Sequence, residues 1–83
     1  MSQLHHLKIW PLYYERVRDG SKTWELREND RGFKEGDTVL LHEWSVALGK
    51  YTGQEPLKFI VGYVLKIDQT RVVFSLLPYK EEE

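Results

Sequence analysis

The sequence predicts a mainly β (α+β) protein, a small β-barrel of about five strands with one short helix after the first strand. Three observations predict it. Five segments read as strands, by a period of two or by β-branched content. A single helical signature lies between the first two of them. Eighty-three residues are too few to cover two sheets with helices, and closing one strongly curved sheet removes its exposed edges.

Each element has its own signal. "HHLKIW" (5–10) is the first strand, with His5, Leu7 and Ile9 on one parity and His6 and Lys8 on the other. "PLYYERVRDG" follows as a helix of two to three turns, with Pro11 suited to its first position and Gly20 to the residue past its end. Tyr13 and Val17 stand four apart and are expected to pack on one face. Thr23 to Glu28 is the second strand. "NDRGFKEGD" is a loop, in which Asn29, Asp30, Gly36 and Asp37 serve as turn residues. "TVLLHEW" (38–44) is a strand, and "SVALGKYTGQE" reads as an exposed connection. "PLKFIVGYVLKI" (56–67) is the longest strand, with Phe59, Val61, Tyr63, Leu65 and Ile67 on one parity. After the turn Asp68-Gln69-Thr70, "RVVFSLLP" (71–78) closes a hairpin with Val72, Phe74 and Leu76 inward.

Composition narrows the function classes. One domain is expected, with residues 79–83 as a disordered acidic tail. Without cysteine there is no disulfide, thiolate nucleophile or cysteine metal ligand. No apolar run reaches the ~18 residues of a membrane span, and no signal peptide is seen, so a soluble, cytoplasmic, monomeric protein is expected. The net charge is −1, but the tail Lys80–Glu83 holds one positive and three negative charges, which leaves the body at +1. A near-neutral body is a poor general polyanion binder, while a site for one nucleotide or a short single strand remains open.

The stretch "GSKTWELREND" (20–30) sets charges beside large apolar side chains. Strand parity puts Trp24 and Leu26 on one face, expected to be the core face, and Thr23, Glu25 and Arg27 on the other. Lys22, Glu25 and Arg27 then form a cation–anion–cation row. Such a row can grip a planar polar ligand: Arg27 by forked donation or stacking, Glu25 by accepting from an amine, Lys22 by binding an oxygen. The ordinary alternative is a solvated face of surface ion pairs worth about 0–1 kcal/mol each.

The spacing Gly20-x-Lys22-x-x-Glu25-x-Arg27 resembles the GxKxxExR signature of ASCH domains, which are similar to PUA domains in fold. The likeness spans about residues 5 to 66 and is most specific at "ELRENDRGFKEGD", "LHEW" and "YTG"; it points to a small ASCH-like family of bacteria and phages. It implies a PUA-like barrel, a cleft beside the first helix lined by the motif, and RNA or nucleotide binding there. Some ASCH-like proteins resemble amidohydrolases that act on a modified nucleoside with a Lys, a Thr and a Glu. In their pattern Thr takes the place of Glu25, whereas the nearby Thr23 directly follows Lys22, so that activity is not carried over.

Trp10 and Trp44 end strands and can line a cleft mouth as stacking platforms, as can Tyr13 on the helix. Arg31 follows the charged strand and has no turn role, which makes it a ligand contact. His5 shares parity with Leu7 and Ile9; it is a hydrogen-bonded, half-buried residue or reaches the cleft. His5 and His6 point to opposite faces, so no metal site and no cofactor are expected. The ligand set is therefore Lys22, Glu25, Arg27, Arg31, Trp10, Tyr13, Trp44 and His5, with Lys22 and Glu25 also the candidates for catalysis. The expected function is RNA or nucleotide binding. The alternatives are a small hydrolase or ribonuclease using the same cluster, or a protein-interaction module.

Overall fold

The computed structural model describes residues 2–80. β1 (Leu4–Ile9) leads into α1 (Pro11–Arg18), β2 (Trp24–Glu28), β3 (Thr38–Ser45), β4 (Lys50–Tyr51), β5 (Leu57–Lys66) and β6 (Arg71–Pro78). The mainly β class and the single short helix agree with the sequence. The two-residue β4 is an addition, because the stretch around it reads as loop. Gly49 at φ +65° turns the chain there, and Tyr51 pairs with Trp44.

The strands pair in the order β1-β3-β5-β6-β2, with β4 on the C-terminal end of β3. β1 runs parallel to β3, and the other pairings are antiparallel. Among the described residues no ladder joins β1 to β2, so the sheet is open where a closed barrel was expected. The reason is visible at the gap. Side chains occupy the place of a ladder, and the Arg27 guanidinium of β2 donates from Nη2 to the Lys8 carbonyl of β1 at 2.9 Å.

The core follows the parity of β1 and β6. Leu7 and Ile9 from β1, Val39 and Leu41 from β3, and Val72, Phe74 and Leu76 from β6 are buried together with Val61 and Phe33. α1 adds Tyr14 and Val17, three residues apart. Tyr13 is not on that face, contrary to the expected Tyr13–Val17 pair. Tyr14 is anchored by its hydroxyl, which donates to the Glu55 carbonyl at 2.7 Å.

β5 departs from its expected stripe. Val61 stands opposite Leu76, but the next inward pair is Val64 with Phe74. Three residues on β5 thus span two on β6, which is a β-bulge. The bulge turns Tyr63, Leu65 and Ile67 outward, all about half exposed or more. Gly62 sits in it because a side chain there meets β6: a Cβ would run into Ser75 Oγ and lie 3.1 Å from Leu77 Cγ. Ser75 Oγ in turn accepts from the Tyr63 N–H at 2.9 Å.

Asp37 is more than a turn residue. It is buried, and its carboxylate accepts from His5 Nε2 at 2.9 Å, from the Gln3 N–H at 2.9 Å and from the Lys34 N–H at 3.1 Å. His5 is thereby a core residue that packs on Phe33, with ring centroids 4.8 Å apart. Burial by itself raises the Asp37 carboxyl; the hydrogen bonds from His5, Gln3 and Lys34 outweigh it and hold the group below its usual 3.8. At the C-terminal end, Lys58 Nζ lies 3.9 Å from the Tyr79 ring centroid, while residues 81–83 of the expected acidic tail lie outside the described residues.

Two outcomes test this packing. Gly62→Ala should lower stability by about 1–3 kcal/mol, the usual cost of overpacking, and Gly62→Ala/Ser75→Ala should recover part of it in urea unfolding. The depressed Asp37 carboxyl stabilises the fold fully above 3.8, and this contribution is lost as pH falls through the lower folded value. The urea midpoint should therefore drop more between about pH 5 and about pH 3 in the wild type than in Asp37→Asn.

Candidate functional site

Register against β6 decides what β2 turns inward. Glu25 stands opposite Phe74 and Arg27 opposite Val72, both core-facing, while Trp24 and Leu26 stand opposite Ser75 and Val73. Glu25 is only 3% exposed; Trp24 is 47% and Leu26 44% exposed. This reverses the expected orientation, in which the indole and the leucine enter the core. β6 is held on both sides, so its apolar stripe dictates the face of the edge strand beside it, and a slip of one residue would exchange the two sets.

A buried carboxylate needs partners, and the spacing supplies two. Gly20, at φ +86°, ends α1 with its N–H donating to the Val17 carbonyl at 3.2 Å. The Lys22 N–H then donates to the Arg16 carbonyl at 2.9 Å, which swings residue 22 back over the start of β2. Lys22 Nζ donates to Glu25 Oε1 and, at 2.7 Å, to the Trp24 carbonyl. Arg27, two residues on and so on the same face, donates from Nε to Glu25 Oε2 at 2.8 Å, with Nη2 2.7 Å from the same oxygen. Both carboxylate oxygens are occupied. Arg27 Nη1 makes no hydrogen bond to the described residues.

These groups floor a cleft of about 330 Å³ in the gap between β1 and β2. The end of β1 contributes Lys8, Ile9 and Trp10, the helix contributes Tyr13, and β2 contributes residues 24–27. Trp10 and Tyr13 stack with centroids 6.0 Å apart and planes 16° from parallel. The Lys22 ammonium lies 4.6 Å from the Trp24 centroid and 5.6 Å from that of Tyr13, so it faces both rings. The volume is at the small end of the roughly 300–1,000 Å³ of small-molecule sites, which suits a guest of nucleoside size. Two cations against one carboxylate leave the floor with a net positive charge. The arrangement suits a planar guest that carries negative charge.

Of the residues singled out in the sequence, Lys22, Glu25, Arg27, Trp10 and Tyr13 meet in this cleft. His5 does not, because its parity takes it into the core beside Asp37. Trp44 and Arg31 lie outside its lining. Trp44 packs edge-on against Tyr51, with Lys8 Nζ 3.9 Å from its centroid, and Arg31 lines a neighbouring hollow. Sequence reasoning missed Lys8, Trp24 and Leu26. Lys8 alternates with the inward Leu7 and Ile9, which was a usable signal for exposure; nothing local marked Trp24. The fragments "LHEW" and "YTG" prove to be one structural unit. The buried Glu43 accepts from the Thr52 hydroxyl, and the Thr52 N–H donates to the Glu43 carbonyl at 3.2 Å. Among the described residues no group of three or more His, Cys, Asp or Glu is placed to hold a metal ion, and no helix is long and apolar enough to cross a membrane.

The ion triplet makes a stability prediction. Lys22→Met or Arg27→Met should each cost about 3 kcal/mol, because a buried carboxylate loses a partner. The triple change Lys22→Met/Glu25→Leu/Arg27→Met, which removes all three charges, should cost less than either single change in urea unfolding.

An uncharacterized 12.9 kDa protein from the GpA 3' region of Escherichia phage P2 is 38% identical over 55 residues. The alignment covers 66% of this chain and 49% of the phage protein, so the chain matches about half the length of that relative. A family model matches residues 4–75, a span that includes the cleft, the Glu25 triplet and the Glu43–Thr52 unit. The chain belongs to that family, a domain of unknown function (DUF3850).

Proposed function

We propose that the cleft between β1 and β2 binds a nucleotide, free or as part of a single RNA strand. The observation that carries the proposal is the convergence of Lys22, Glu25 and Arg27 with Trp10, Tyr13 and Trp24 on one concavity. The exposed rings offer faces for a base, since base–aromatic stacking is worth about 1–3 kcal/mol per base. Arg27 Nη1 offers a donor to phosphate or to base oxygens. The ASCH, PUA-like kinship belongs to the same proposal. Its support is the GxKxxExR spacing, whose three charged residues stand around the cleft floor.

Binding is favoured over acid–base chemistry by how the floor is bonded. Lys22 is committed to Glu25 and to the Trp24 carbonyl, and both oxygens of Glu25 are taken by cations. Neither group presents a free base to a guest.

Titration of the four nucleoside 5′-monophosphates, followed by tryptophan fluorescence and by NMR shifts of residues 22–27, tests the reading. At least one should bind without turnover. Trp24→Ala and Tyr13→Ala, both at exposed positions, should weaken it about 5- to 100-fold while the fold is kept. No shift in these residues with any nucleotide or short RNA would end the proposal.

A further inference from the structure

The Lys8 and Arg27 side chains have two sides. Both line the cleft, and both also line a second hollow of about 420 Å³ on the other side of the Arg27–Lys8 bridge. Its remaining wall includes Arg31, His6 and the exposed ring of Tyr51. The cleft and the hollow are therefore adjoining rooms with a shared partition.

The second room has the same ingredients as the first. Tyr51 is half exposed and is propped edge-on by Trp44 and by the His42 ring, with centroids 4.8 and 5.9 Å away. His42 stacks on His6 at 5.2 Å, with His6 Nδ1 and His42 Nε2 3.0 Å apart. The outer face beside β1, β3 and β4 is thus a run of exposed or half-exposed rings, rigid because each ring rests on the next. Lys8, Arg27 and Arg31 outweigh Glu28 and Asp30 around the hollow by one positive charge. Arg31 is only loosely held: its Nε is 4.0 Å from Asp30 Oδ1, so it is free to turn to a guest.

We infer that the hollow is a second nucleotide subsite, so that the ligand is a single strand of two or more nucleotides running from the cleft across Lys8 and Arg27 to Tyr51 and Arg31. The inference rests on the nucleotide reading of the cleft. It goes further by assigning a strand, and not a free mononucleotide, as the ligand class. The phosphate between two bases would cross the partition beside the Arg27 guanidinium, and the Lys8 ammonium, 3.9 Å from the Trp44 centroid and 5.9 Å from that of Tyr51, would meet it from the side of the hollow. Tyr51 would carry the second base, and Arg31 would meet the next phosphate.

The test is a length series of single-stranded RNA, from the mononucleotide to the tetranucleotide, titrated against the wild type, Tyr51→Ala, Arg31→Ala and Trp24→Ala. Affinity should rise by about tenfold or more on going from one nucleotide to two or three. Tyr51→Ala should remove most of that gain and leave mononucleotide affinity unchanged. Arg31→Ala should lower the slope of log affinity against log salt by about 0.7 for the longer strands alone. Mononucleotide binding with no gain on lengthening, or a gain untouched by both variants, overturns the second subsite and spares the cleft. Strand binding that depends on Tyr51 and Arg31 but not on Trp24 supports the hollow and removes the cleft. No binding at any length overturns both.

Discussion

The carboxylate of Glu25 is the constraint from which the rest of the site follows. It is buried by the register of β2 on β6, and an ionised group at that depth is stable only when paired. One cation comes from the helix-to-strand turn and the other from two residues along the same strand. Meeting the needs of one anion thus draws α1, its exit turn and β2 into a single arrangement. It also leaves a surplus of positive charge on the cleft floor. The ion pairing of a buried acid and the charge of the cleft floor are therefore carried by the same three side chains.

An open sheet normally exposes two edges with unpaired backbone groups, a hazard for aggregation. Here β1 and β2 face each other across a gap spanned by Arg27, which satisfies the Lys8 carbonyl. The gap is then not a defect in a barrel but a slot, walled by strand edges and flanked by Trp10, just before the helix, and Tyr13 on it. A second buried acid acts at the other end of β1. Asp37 gathers His5, Gln3 and Lys34, and so pins the start of β1 to the loop before β3. Two buried acids thus help to hold the first strand at its two ends, one through Arg27 and the other directly.

The strands whose alternation was legible are those whose neighbours impose no irregularity. His5, Leu7 and Ile9 on β1 and Val72, Phe74 and Leu76 on β6 are buried as their parity indicates. The stripe on β5 failed after Val61, where the bulge inserts a residue. Gly62 was the available sign, since glycine inside a strand often marks a bulge or a close approach. β2 failed differently. Its alternation was right and its face was wrong, because hydrophobicity favours burying Trp24 and Leu26 by about 1.5–3 kcal/mol each, while the register set by β6 buries Glu25 and turns the partly exposed Arg27 to the same side.

From the sequence alone came the order of the helix and of every strand but β4, the mainly β class, the charged spacing of Lys22, Glu25 and Arg27, and their closeness to the helix. Those are local properties, written in the periodicity of a few neighbouring residues. Only the tertiary structure decided that the sheet stays open, that Glu25 lies inside while Trp24 stands in the cleft, and that His5 belongs to Asp37 instead of to a ligand. The physical reason is that alternation defines two faces of a strand but does not choose between them. That choice belongs to the pairing register, which is set by residues far away in the chain.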